Sequence, residues 1–166
     1  MSVRPVVRLP DPVLSQRADE VGAVDDEVRE LIADLLDTMR VAPACVGLAA
    51  PQIGVGKRVF VADVSGHPKA ANAQGLIVLC DPVLVEAGEP VMAREGCMSV
   101  PDLTGDVTRA SKVVMRGLSV DGAERVIEAD AFEARALLHE LDHLDGLLFL
   151  DRVSSHESLF RRKVYK

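Results

Sequence analysis

The chain has no tryptophan, one tyrosine and four phenylalanines among 166 residues. Its interior must therefore be filled by Val, Leu, Ile and Ala rather than by large rings. Basic residues are in deficit, 19 Lys and Arg against 26 Asp and Glu, for a formal charge of −7. That balance argues against sequence-independent binding to DNA or RNA, which needs many cations on phosphates. Long apolar runs are missing too, and no stretch approaches the roughly 20 residues of a membrane-spanning helix. The opening MSVRPVVRLPDP lacks the apolar stretch of a signal peptide, and Pro10 and Pro12 interrupt it. A cytoplasmic protein with no membrane partner is expected. Cysteine is sparse, and Cys45, Cys80 and Cys97 form no CxxC pair, so a disulfide framework is not expected. A cysteine with a task here is a metal ligand or a nucleophile.

What is present suits one soluble domain spanning residues 1–166, with 48% hydrophobic and 27% charged residues. Residues 25–40, DDEVRELIADLLDTMR, carry Val28, Leu31, Ile32, Leu35, Leu36 and Met39 at helical spacing. Asp25 suits the helix start and Arg40 its end. The segments KRVFVADV, LIVLCDPVLVEAG, KVVMRGLSV and ERVIEA are short, β-branched and separated by turn residues, which predicts strands. The stretch SGHPKAANAQG at 65–75 reads as a surface excursion between two of them. A second helix is predicted from about Asp130, where Asp130 and Glu133 have the spacing of a capping box, to a stop at Gly146. A short closing helix after Ser154 or Ser155 completes the reading. One helix, then strands, then one helix predicts an α+β fold, with antiparallel strands packed around a C-terminal helix.

That second helix contains His139-Glu140-Leu141-Asp142-His143. At about 3.6 residues per turn, His139 and His143 share a face and can converge on one ion. Glu140 is rotated by about 100° and can reach a water on that ion without ligating it, the mechanical content of the HExxH pattern. Two imidazoles need a third donor. Six residues past His143 stands Phe149, which has none. Glu157 lies 14 residues past His143, short of the spacing of about 20 found in other zincins. The third ligand is therefore expected upstream. Cys97 in REGCMSVPD is the candidate, because a thiolate with two imidazoles leaves one position open for solvent. Cys45 in APACVGLAAPQ is the rival, and Cys80 reads as core. Asp142 reads as solvated, and Asp145 as part of the helix end.

Three segments, VGLAAPQIG (46–54), EGCMS (95–99) and HELDH (139–143), resemble in order and spacing the signature motifs of peptide deformylases. The flanks LPDPVL, KRVFVADV and HLDGLLFLDR resemble the family as well, so the likeness covers about residues 5–155. It implies a hydrolase that removes the formyl group from the N-terminal formylmethionine of nascent polypeptides. Cys97, His139 and His143 would be the metal ligands and Glu140 the general base and acid. Gln52 and the backbone N–H of Met98 would stabilise the oxyanion, and the backbone of Gly47 would pair with the peptide. Val46, Phe132 and Ala136 would line the methionine pocket, and Glu95 would pair with Arg109. Iron(II) is the implied metal, with Zn2+, Ni2+ or Co2+ able to replace it. A divalent ion of this kind lowers the pKa of bound water to about 7, ready for attack on the formyl carbon. The alternatives are a small metallopeptidase, or a metal-containing module that binds formyl-peptides without turning them over.

The chain departs from the family where it has Cys45 in place of Gly, Met98 in place of Leu and Leu138 in place of Gln. Cys45 is expected near the cleft, and Leu138 is expected to remove a polar group from around the ligands. The tail FRRKVYK (160–166) carries four positive charges. It reads as a solvated terminus, with contact to the ribosome as the second reading.

Overall fold

The computed structural model describes residues 2–42, 44–70, 73–153 and 155–162. Helix α1 spans Asp26–Val41, and the Asp25 carboxylate accepts the Val28 N–H at 2.9 Å. Asp26 and Glu27 in its first turn and Arg40 in its last complement the helix dipole. Strands follow as β1 (Gly47–Ala49), β2 (Val59–Ala62), β3 (Ile77–Ala87), β4 (Pro90–Cys97), β5 (Val100–Ala110), β6 (Lys112–Leu118) and β7 (Glu124–Asp130). Helix α2 spans Ala131–Leu144, and β8 (Leu159–Arg161) is last. These strands pair with one another antiparallel throughout, in one sheet ordered β1-β2-β3-β6-β7 and a second ordered β4-β5-β8. Mixed α+β architecture with two α-helices and antiparallel sheets is thus what the residues form.

The first sheet lies between the two helices, and alternation along its strands shows this. Val59 and Val61 of β2 join Val28, Ile32, Leu35 and Met39 of α1 in one core cluster. Phe60 and Ala62 between them join Ala134, Leu137 and Leu144 of α2 in another. Side chains of a strand point alternately to its two faces, so a strand covered on both reads as the unbroken apolar run VFVA. Full burial of Ile32 and of Leu35 of α1 contributes about 1.5–3 kcal/mol each. A third cluster, with Val100, Val107, Leu148 and Phe149, packs the second sheet and includes Cys97.

The β4–β5 hairpin is not foreseen by periodicity. Most of β4 is exposed, so its apolar pattern is weak, and its hydrogen bonds come from pairing with β5. Cys97 is the last residue of β4. The pairing register shifts between Gly96 and Cys97, a bulge that bends the strand and re-aims the Cys97 side chain. The closing helix after Ser155 is a single 3-10 turn, His156–Ser158, leading into β8.

The expected capping box does not form. Asp130 makes no side-chain cap hydrogen bond, and the Glu133 carboxylate instead accepts both the backbone N–H and the side-chain amide of Gln74 at 2.9 and 2.8 Å. The other end of α2 is tied down firmly. Leu144 O accepts from Ala18 N–H and from Arg58 Nη1, each at 2.8 Å, while Arg58 Nη2 pairs with Asp145 at 2.9 Å. A guanidinium at this end also meets the negative pole of the helix. Gly146 follows with φ of +79°, and a Cβ there would lie 2.9 Å from backbone carbons of Ser15 and Gln16.

Gly146→Ala is therefore expected to cost about 1–3 kcal/mol through its left-handed backbone and the clash. Gly56→Ala, with nothing within 4 Å of the added carbon, should stay within about 0.5 kcal/mol. Urea unfolding of the two variants beside the parent checks both; equal midpoints would contradict the packing at Gly146.

Candidate metal centre

Two elements present the donor groups. Helix α2 carries His139, Glu140 and His143, and the end of β4 carries Cys97. One helical turn separates the imidazoles, which stand edge to face with centroids 5.0 Å apart. Cys97 Sγ is 3.3 Å from His143 Nε2. One donor atom from each of Cys97, His139 and His143 falls within 4.8 Å of the other two. Cys45, the rival sulfur, is not in this group; its thiol lies 3.2 Å from Gly47 O, and burial, aided by the Glu140 charge, pushes its pKa up to about 12. Cys80 is fully buried in the core beneath α1.

A buried ion network orients the ligands. Glu95 and Cys97, two residues apart at the end of β4, are both buried and both reach imidazoles of α2. Arg109 of β5 grips Glu95 with two hydrogen bonds, 2.6 and 3.0 Å. Arg135, one turn before His139 on α2, donates to Glu95 at 2.7 Å and to the carbonyls of Val107 and Val91. The remaining lone pair of Glu95 Oε1 accepts from His139 Nδ1 at 2.8 Å. That bond places the ring proton on Nδ1 and turns the lone pair of Nε2 toward Cys97. Burial alone would raise the Glu95 pKa, but the bonds from His139 and Arg109 outweigh it and hold it at about 2.

Asp142 is buried rather than solvated, because Arg109 Nη1 (2.8 Å) and both donors of Arg152 (3.0 and 2.9 Å) converge on it. Leu138 does not face the ligands either. It packs against the core cluster of α2 and lines a separate depression with Leu141 and Arg58. Arg135 and Asp142 are the participants that motif spacing misses. The available signal is position alone: one lies a helical turn before His139, the other beside His143.

The protonation pattern fits a cation at this point. Burial pushes the Cys97 thiol up, yet the neighbouring His143 and His139 bring it well below its ordinary value. Burial likewise works against charge on His139, and the Cys97 and Glu95 partners overcome it. Both shifts favour a thiolate held against positive charge, a place that a divalent ion can fill. Glu140 is raised, chiefly by burial. Among the described residues, the buried side-chain atoms with no hydrogen-bond partner are Glu140 Oε1 and His143 Nδ1. Orphaned buried polar atoms are costly, and in a native chain they mark a place where a ligand or solvent belongs.

Around this centre lies a cleft of about 510 Å³. Two other depressions, about 520 and 480 Å³, have similar size but no such donor set, so volume does not identify the site. Gln52, in the 3-10 turn Ala50–Ile53, accepts from Ala49 N–H through Oε1 at 3.1 Å. Its amide nitrogen thereby faces Cys97 Sγ at 3.5 Å and Ser99 Oγ at 3.3 Å. Gly47 passes so close to Glu140 that a Cβ would lie 2.6 Å from its carboxylate. Met98 sits in the turn between β4 and β5, and Val46, Phe132 and Ala136 line the same cleft. The 65–75 excursion contributes as well, since His67 stacks on Phe132 at 4.2 Å. Sequence spacing offers no hint of that contact.

A family model described as polypeptide deformylase matches residues 3–158. A peptide deformylase of Halothermothrix orenii is 44% identical over 153 residues, 92% of this chain and 95% of that one. One from Thermodesulfovibrio yellowstonii is 40% identical over 164 residues, 98% of this chain and 97% of the other. Among solved structures, peptide deformylase from Ehrlichia chaffeensis in complex with actinonin superposes with a TM-score of 0.87 at 36% identity, covering 95% of this chain and 92% of that one. The Acinetobacter baumannii enzyme with Met-Ala-Ser bound gives 0.84 at 32%, covering 92% and 100%.

Removing one partner of a buried ion network strands the other. Arg109→Leu, which leaves Glu95 and Asp142 short of a cation, is expected to lower unfolding free energy by about 3–5 kcal/mol. Arg152 is half exposed, and Arg152→Leu should cost no more than about 1 kcal/mol. Denaturant melts of both variants decide this; a smaller loss for Arg109→Leu than for Arg152→Leu would overturn the ranking.

Proposed function

Since the chain belongs to the peptide deformylase family and is by that membership an enzyme releasing formyl groups from nascent peptides, we propose how its own residues perform the reaction. Cys97, His139 and His143 hold one divalent ion, and the candidate donor group they form supports this. The ion supplies Lewis acidity, polarising the formyl oxygen and acidifying water near it. Two neutral imidazoles and one thiolate leave it a net positive charge for that purpose.

Glu140 is the general base and acid. Burial keeps its proton affinity high, and its unpartnered Oε1 is free to take a proton from the attacking water. As the water oxygen bonds to the formyl carbon, the carbonyl electrons move onto oxygen. Gln52 Nε2, pinned through its other amide atom, donates a hydrogen bond to that oxygen, and the Met98 N–H is the second donor. Glu140 then hands the proton to the departing nitrogen as the carbon–nitrogen bond breaks, leaving formate and a free α-amine. Gly47 pairs its backbone with the peptide, and its missing side chain leaves room for the Glu140 carboxylate. Val46, Phe132 and Ala136 receive the methionine side chain, and Glu95 with Arg109 holds the His139 ring in place.

The whole of residues 1–166 serves as a single catalytic domain, a reading supported by the family match over 3–158. Iron(II) is the resident ion and Zn2+, Ni2+ or Co2+ can substitute, since a thiolate with two imidazoles accepts any of these. No helix among the described residues is long and apolar enough to cross a membrane. We place the enzyme in the cytoplasm, where nascent formylated chains are made. Lys163 to Lys166, which carry part of the basic tail, lie outside the described residues, and a ribosome contact there remains the second reading of that segment.

The observation that carries the mechanism is the buried Glu140 carboxyl with one oxygen unpartnered beside the three donors. Formate release from formyl-Met-Ala-Ser, after anaerobic loading with iron(II) or nickel, tests it. Glu140→Ala is expected to keep one metal per chain and lose turnover by at least about 10²–10⁴-fold. Retained turnover would remove Glu140 from its role. In air the iron form is expected to lose activity as its thiolate is oxidised, while the nickel form persists. Equal decay of both would count against a thiolate on a redox-active ion.

A further inference from the structure

The chain is acidic overall, yet the rim of its cleft is not. Among the described residues lining that cleft the only carboxylates are Glu95 and Glu140, both buried. The cationic ones are Lys69, Arg94, Arg135 and Arg162, with His67 beside them. Arg135 is committed to Glu95. Arg94 pairs with Asp106 at 2.9 Å and lies 3.7 Å over the Phe160 ring. Lys69 is exposed on the 65–75 excursion, across the cleft from β4.

Arg162 differs from these. It follows β8, and its backbone N–H donates to Asp102 O at 3.0 Å. One terminal nitrogen, Nη2, donates to Cys97 O at 3.2 Å and Leu103 O at 3.4 Å. These carbonyls hold the guanidinium over Gly96, where an added Cβ would lie 2.5 Å from Nη2. No carboxylate among the described residues pairs with it. A guanidinium anchored by one nitrogen, beside the backbone of a metal ligand and with its other donors unused, is pre-organised for a planar anion.

Building on the deformylase reading, we propose that Arg162, with Lys69 as a second cation on the rim, selects peptides bearing an acidic side chain in the first two residues after the formylmethionine. The carboxylate meets the free donors of Arg162 as the extended peptide leaves the metal centre. A cleft lined by one sign of charge concentrates the field locally, so it attracts acidic peptides that the net charge of −7 would otherwise repel. Contacts to parts of the substrate that do not react act on binding, so the effect falls on KM.

The test uses metal-loaded enzyme and C-terminally amidated peptides, which removes the terminal carboxylate as a competing anion. Formyl-Met-Glu-Ala-amide and formyl-Met-Ala-Glu-amide are compared with their Gln counterparts at low ionic strength. At least one Glu peptide is expected to exceed its Gln counterpart by about tenfold in kcat/KM, mainly through KM. The ratio should fall toward one as salt rises from about 20 to about 500 mM, because rim charges are screened. In Arg162→Gln the ratio should collapse to about one whatever the absolute rate, and Arg162→Lys should give an intermediate value. A ratio near one in the parent enzyme at low salt, or one that survives in Arg162→Gln, overturns the proposal. If Arg162→Gln does not fold, the salt series decides, and a salt-independent ratio overturns it. Absence of formate from every peptide fails differently: it removes the deformylase reading itself, and this inference with it.

Discussion

The Glu95 carboxylate is the interaction on which the rest of the molecule turns. It sits on β4, takes two hydrogen bonds from Arg109 of β5, one from Arg135 of α2 and one from His139 of α2. The β4–β5 hairpin and helix α2 are thereby locked together at one point. A buried carboxylate is costly on its own, and this one is tolerated because every side of it meets a donor. The arrangement also sets the tautomer of a ligand ring, so a structural requirement and a chemical one are met by the same four bonds.

Asp142 repeats the device one step further out. Arg109 bridges the two carboxylates, and Arg152 closes the outer side. The helix that carries the imidazoles is thus held laterally by ion pairs. Its far end is held by Arg58 and Ala18 on the Leu144 carbonyl. Against this rigid frame Glu140 stands apart, because one of its oxygens has no partner. Among the described residues the buried side-chain atoms left without a partner, Glu140 Oε1 and His143 Nδ1, both belong to this centre.

Much of this is legible in the sequence itself. The α1 face at Val28, Ile32, Leu35 and Met39 reads directly, because amphipathic spacing is a local property. The two histidines and Glu140 read as one unit, because a helix makes their geometry local as well. Cys97 needed elimination and then a resemblance to known proteins, since 42 residues separate it from His139 and no period links them. The β4–β5 hairpin escaped, because an exposed edge strand carries little apolar pattern and owes its existence to pairing. The capping box at Asp130 misled, because Glu133 finds a better partner in Gln74. Asp142 misled too, since its burial depends on arginines from β5 and from the turn after α2.

The order of residues by itself determined the helical faces, the strands covered on both sides, the donor chemistry of the metal group and the family. All of these are written in near-neighbour spacing or in side-chain type. Folding alone decided which cysteine joins the imidazoles, which carboxylates are buried and which arginines reach them. The closeness of Gly47 to Glu140 and of Arg162 to Cys97 belongs to the same class. Such contacts depend on strand register and on a bulge at Gly96, and a shift of one residue there would turn Cys97 to the opposite face.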